Sequence, residues 1–196
     1  MAQQEFDDVQ VILMPGLHNS SPDHWQSLWH ACHPGFFRVE QDDWDHPDLT
    51  AWAARLDELR AADPRPALII AHSFGCLASA ASIAAHPANV AGALFVAPAD
   101  PHKFGVAERL PQASLGLPST LICSDDDPWM SATEAARWAR RWGSTLINAG
   151  AVGHINAASG LGAWPFGWEA LQLLYDRAHT LQPDSEHARS LATQTT

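Results

Sequence analysis

Short apolar runs alternate along this chain with longer stretches whose apolar residues recur at helical spacing. The short runs predict strands near 9–14, 36–40, 67–71, 91–97, 119–123 and 144–148, and the longer stretches predict helices near 22–33, 48–62, 74–86, 131–142 and 165–181. Strands alternating with helices imply βαβ units with right-handed crossovers. The expected fold is therefore α/β, with a mostly parallel sheet of about six strands and helices on both faces. Local punctuation agrees with these boundaries. Ser131-Ala132-Thr133-Glu134 has the capping-box pattern and Gly143 is placed to end that helix, while Ser21 and Pro22 suit an N-cap and a first helical position. A chain of 196 residues supports one packed core, so a single domain over 1–182 is expected, with 183–196 as a tail.

One strand-to-helix junction carries a reactive side chain at its apex. Ala71-His72-Ser73-Phe74-Gly75 lies between the apolar run Ala67 to Ile70 and the small-residue run Cys76 to Ala85. A serine on so sharp a turn has its hydroxyl lifted out of the sheet, beside a helix start where negative charge is stabilised. The pattern is that of a nucleophile elbow, G-x-S-x-G, with Ala71 in the first glycine's place. The positions two before and two after the serine must be small because a larger side chain would strike a neighbouring element. The alternative is an ordinary turn, and what lies downstream weighs against it.

The strand at 119–123 runs into Ser124-Asp125-Asp126-Asp127-Pro128-Trp129, and the strand at 144–148 is followed by Ala149-Gly150-Ala151-Val152-Gly153-His154. Serine, acid and histidine thus follow in the order used by α/β-hydrolases, each after a strand's carboxyl end, where open α/β sheets place their sites. A serine hydroxyl is a poor nucleophile near neutral pH. His154 would take its proton, and an acid would fix the imidazole's tautomer. Pro128 restricts the residue before it, which favours Asp127 as the acid, with Asp125 and Asp126 as alternatives in a solvated turn. Of the 11 histidines, His154 alone combines chain order with loop position. His72 is expected to point away from the reaction centre, and His24 to be a solvated or packing residue.

After the first strand, Met14-Pro15-Gly16-Leu17-His18-Asn19 offers a tight turn beside the elbow. The amides of Leu17 and Phe74 are the expected donors to an oxyanion. His18, Asn19 and Trp129 are candidates for the pocket wall. Residues 99–118 are the least regular segment and too short for a substantial lid, which implies an open or shallow pocket.

These motifs resemble the retinoblastoma-binding protein 9 / YdeN-like family of compact serine hydrolases. The likeness rests on Pro15-Gly16, His24-Trp25, the Ala71 to Gly75 elbow, Ser124 to Pro128 and Gly153-His154, and covers about residues 8 to 180. It implies a compact α/β-hydrolase fold with little or no lid, Ser73 as nucleophile, Asp127 as acid and His154 as base. Ala71 departs from the family's usual glycine, and the bulky Phe74 is expected to narrow an acyl pocket.

Composition bounds the partners. A formal net charge of −11 with only 11 Lys plus Arg argues against nucleic acid. No apolar run is long enough to span a membrane, and Met1 to Asp8 lacks the pattern of a signal peptide, so a cytoplasmic location is expected. Cys32, Cys76 and Cys123 have no metal-ligand spacing and are expected to be buried thiols. Neither metal nor cofactor is expected, and no feature identifies a protein partner. The expected function is a cofactor-free serine hydrolase acting on small carboxylic esters or related acyl compounds. The alternatives are a non-catalytic protein-binding member of the fold, or an acyltransferase using the same triad.

Overall fold

Six strands pair side by side in one wholly parallel sheet of order β2-β1-β3-β4-β5-β6. In the computed structural model, which describes residues 6–181, these are β1 (Gln10–Met14), β2 (Phe37–Arg38), β3 (Ala67–His72), β4 (Val90–Val96), β5 (Ser119–Cys123) and β6 (Thr145–Asn148). The helices are α1 (Trp25–Cys32), α2 (Leu49–Ala61), α3 (Phe74–Ala85), α4 (Ala132–Trp142) and α5 (Pro165–Leu181). The expected tail over 183–196 lies outside the described residues.

Alternation within the strands divides the core in two. Ile12, Met14, Ile69, Ala71, Ala93 and Phe95 face the layer made by α2, α3 and α4. Val11, Leu13, Leu68, Ile70, Leu94 and Val96 face the layer made by α1 and α5. With both faces covered, the central strands are apolar at successive positions, which is why they stand out in the sequence.

The chain passes from β1 outward to β2 and then back across to β3, so the direction of winding reverses between β1 and β3. That reversal opens a crevice at the strands' carboxyl ends, where Gly16 and Ser73 lie. Between β4 and β5 the only regular structure is a 3-10 turn, Ala107–Arg109, so this segment places no helical lid over the crevice.

Three local expectations need correction. Helix α1 begins at Trp25, not at Pro22, because the cap is His24, whose ring nitrogen Nδ1 accepts from the Gln26 amide at 3.1 Å. Strand β2 is reduced to two residues, since it is an edge that pairs only Ile12 with Phe37 and Leu13 with Arg38. Cys32 ends α1 on its solvent side and is exposed, whereas Cys76 and Cys123 are buried.

Candidate active site

The site begins with a backbone conformation that few residues adopt. Ser73 has φ 53° and ψ −124°, a strained region for a side-chain-bearing residue that costs of order 1–3 kcal/mol. Its amide donates to the Val96 carbonyl at 3.1 Å and its carbonyl accepts from Cys76 at 3.0 Å, which pins the turn between β3, β4 and α3. Gly75 has no room for a side chain, as a Cβ there would lie 2.4 Å from the Pro15 carbonyl oxygen and 2.5 Å from that of Met14. A Cβ on Gly16 would lie 2.6 Å from the Ser73 Cβ. The first turn of α3 therefore rests on the end of β1. Ala71 is fully buried within β3.

Three side chains from three loops meet at this apex. The Ser73 hydroxyl lies 2.9 Å from His154 Nε2, and His154 Nδ1 lies 2.9 Å from each carboxylate oxygen of Asp127. A carboxylate accepts, so Nδ1 carries the proton and Nε2 is left to accept from the serine hydroxyl. The His154 and Asp127 side chains are only 8% and 3% exposed. Asp127 also accepts from the Trp129 amide at 2.9 Å.

The other two aspartates are committed elsewhere. Asp126 accepts from the Gly153 amide at 2.7 Å and from the Ser124 hydroxyl at 2.9 Å, and these bonds hold its carboxyl below the usual carboxylate range. Asp125 accepts from Asn148 Nδ2 at 2.7 Å. Asp126 thus fastens the loop after β5 to the loop that carries His154, and Asp125 fastens it to the end of β6.

A cavity of about 200 Å³ opens above the serine, walled in part by Leu17, His18, Asn19, Trp129 and Phe104. Larger hollows, of about 560 and 370 Å³, lie elsewhere and contain no serine paired to a histidine. Among the described residues nothing accepts from the Leu17 or Phe74 amides, so both remain available as donors. The Phe74 ring does not wall the cavity. It is buried against Trp52 and Phe104, at 5.2 and 5.1 Å between ring centres. His18 and Asn19 both have positive φ, 63° and 64°. Arg38 steadies their loop by donating to the Asn19 side chain and, at 2.9 Å, to the Ser20 carbonyl.

Two histidines read from the sequence as bystanders line the same cavity. His72 is tied to the site through one ring nitrogen: its Nε2 donates to the His154 carbonyl at 2.9 Å, and burial pushes its pKa well below the usual range. His24 packs edge-on against His72 at 4.8 Å between ring centres. Helix α1 also secures the loop that carries His154, because Trp25 Nε1 donates to the Ile155 carbonyl at 2.8 Å and Trp29 Nε1 to that of Ala163 at 2.7 Å. Gln26 ties α1 to the carbonyls of Met14 and Ile70, at 3.3 and 3.0 Å. His24-Trp25 was visible as a motif, but nothing local to it shows which loops it will meet. Among the described residues no group of His, Cys, Asp or Glu side chains is arranged to hold a metal ion, and no helix is long and apolar enough to cross a membrane.

Comparison with known proteins bears directly on this arrangement. A YdeN-like hydrolase from Pectobacterium atrosepticum is 34% identical, with a TM-score of 0.85 over 87% of this chain and 92% of its own. The ydeN product of B. subtilis shares the fold at 20% identity, with a TM-score of 0.69 over 85% of this chain and 98% of its own. A carboxylesterase from Bacillus cereus shares it at 15% identity and a TM-score of 0.59, over 89% and 90% of the two chains. No curated protein matches the sequence. The serine hydrolase family profile matches residues 11–173, from β1 into α5 and across every element that shapes the crevice. By that span, and by the closeness of the Pectobacterium structure, the chain belongs to the YdeN-like serine hydrolases.

Proposed function

We propose that the protein hydrolyses small carboxylic esters or related acyl compounds through an acyl-enzyme on Ser73. The observation that carries this reading is the unbroken hydrogen-bond series from the Ser73 hydroxyl through His154 to Asp127. In the first step Ser73 Oγ attacks the carbonyl carbon while His154 Nε2 takes the hydroxyl proton. The negative charge passes to the carbonyl oxygen, where the Leu17 and Phe74 amides donate to it. Collapse of this adduct breaks the bond to the leaving alcohol, which receives the proton from His154. A water molecule then repeats the sequence on the acyl-enzyme, releasing the acid and restoring Ser73. Asp127 keeps Nδ1 protonated throughout and stabilises the imidazolium.

Cavity size supports a small acyl or alcohol group, since about 200 Å³ falls below the roughly 300–1,000 Å³ of pockets for drug-sized ligands. The segment between β4 and β5 forms no helical cover, which leaves water access from that side and favours hydrolysis over acyl transfer. Three unpaired thiols suit a reducing, cytoplasmic setting. The test is a fluorophosphonate probe. Wild type is expected to become labelled at Ser73, and Ser73→Ala to stay unlabelled, because phosphorus accepts the activated hydroxyl as a carbonyl does. Labelling of another serine, or none in a folded sample, would overturn the assignment.

A further inference from the structure

The two histidines that line the cavity hold one donor and one acceptor for which the described residues supply no partner. His24 Nδ1 accepts from the Gln26 amide, so the proton of its neutral ring is on Nε2. Burial, with Arg38 nearby, lowers the His24 pKa to about 4 and keeps that ring neutral near pH 7. The residue is 3% exposed, and its Nε2 is buried without a hydrogen-bond partner among the described residues. His72 has the opposite tautomer. Its Nε2 must carry the proton because it faces the His154 carbonyl, which leaves Nδ1 as a bare acceptor. Among the described residues, nothing donates to it. Both rings line the same cavity as Ser73.

A buried donor left unpaired loses its hydration with nothing in exchange, and a substrate group that met it would recover that loss on binding. Functional groups differ in how well they fit this pair. A second carbonyl or a carboxylate would satisfy His24 but set its lone pairs against His72. An ammonium would satisfy His72 and leave His24 facing another donor. A hydroxyl accepts and donates at once, and so matches both.

We infer that His24 and His72 bind a hydroxyl on the substrate, His24 Nε2–H donating to its oxygen and the hydroxyl proton going to His72 Nδ1. The preferred substrates are accordingly short esters with a hydroxyl close to the scissile bond. The inference rests on the ester-hydrolysing reading above and adds the substrate class to it. His24 is a specificity residue held in its tautomer by the cap of α1, and the same bond that starts the helix aims the donor.

Two matched substrate pairs test this. On the acid side, p-nitrophenyl 3-hydroxybutyrate is compared with p-nitrophenyl butyrate; on the alcohol side, 2-hydroxyethyl butyrate with propyl butyrate. In at least one pair, kcat/KM for the hydroxy ester is expected to exceed its partner by about tenfold or more. The responding pair tells which side of the ester carries the hydroxyl. In His24→Asn, where a short polar side chain can still cap α1, that ratio is expected to fall toward one, whatever the absolute rates. Binding is read separately in Ser73→Ala, with nitrogen-15 labelled histidines. The hydroxy ester is expected to shift the Nε2 signal of His24, and its deoxy partner to leave it unmoved. Ratios near one in both wild-type pairs, or an unmoved His24 signal with bound hydroxy ester, would overturn the inference while leaving the hydrolase reading intact. Binding with the expected shift but no turnover of any ester by wild type would support the hydroxyl site and overturn the hydrolytic reading instead.

Discussion

Three consecutive aspartates at the end of β5 have three different partners, and the difference is measurable. Asp127 alone meets His154, so Asp127→Asn is expected to lower kcat on a short-chain aryl ester by about 10⁴, as loss of the orienting acid does in serine proteases. Asp126→Asn keeps an oxygen for the Gly153 amide and should cost far less; steady-state kinetics with the larger loss at Asp126 would move the acid. Gly75→Ala makes a separate prediction, on stability. A Cβ 2.4 Å from the Pro15 carbonyl cannot be absorbed by a side-chain shift, and overpacking of this kind costs about 1–3 kcal/mol or more, seen as a lowered urea midpoint. The serine, its small neighbours and the histidine were legible because each is forced by something local: a turn, a steric limit, a place after a strand. Asp127 was legible through Pro128. His24 and His72 were not, because their roles depend on the packing of α1 against the ends of β1 and β3, contacts made across 12 and 44 residues by Gln26 alone.

At the scale of elements, the sheet and its helices could be read almost entirely from pattern, since strands covered on both faces are continuous apolar runs and α4 is bounded by Ser131 and Gly143. What escaped was the start of α1, where a histidine replaces the usual serine or aspartate cap, and the extent of β2, an edge strand with little to bury. Helix α1 also has a pH dependence of its own. The His24 pKa is lowered to about 4 in the folded protein, chiefly by burial and then by Arg38, against an ordinary value of 6.5. Between those values the unfolded chain binds the proton and the folded one does not, so stability is complete above pH 6.5 and falls as pH drops toward 4. The loss is roughly 3 kcal/mol at pH 4 from this residue, and burial of His72 acts in the same direction. Urea unfolding at pH 7 and pH 4 should show it, with a smaller difference in His24→Asn. An unchanged difference in that variant would assign the acid sensitivity to other groups.

Over the whole molecule, a formal net charge of −11 sets up a field that repels anions before they reach the crevice. For an anionic aryl ester, kcat/KM is expected to rise by roughly a few fold between low and physiological salt, while a neutral ester of equal size stays level; identical salt profiles would show that the field does not reach the site. A different consequence follows from the way α1 grips the far end of the sequence. Ser73 precedes His154 by 81 residues, and the loop bearing His154 is held from Trp25 to Ile155 and from Trp29 to Ala163, across 130 and 134 residues. During synthesis a growing chain therefore exposes Ser73 long before His154 and the segment that holds it have emerged. On the hydrolytic reading proposed above, a chain cut short before Ile155 is inactive on the ribosome, and turnover begins only once the loop that carries His154 has emerged and docked on α1.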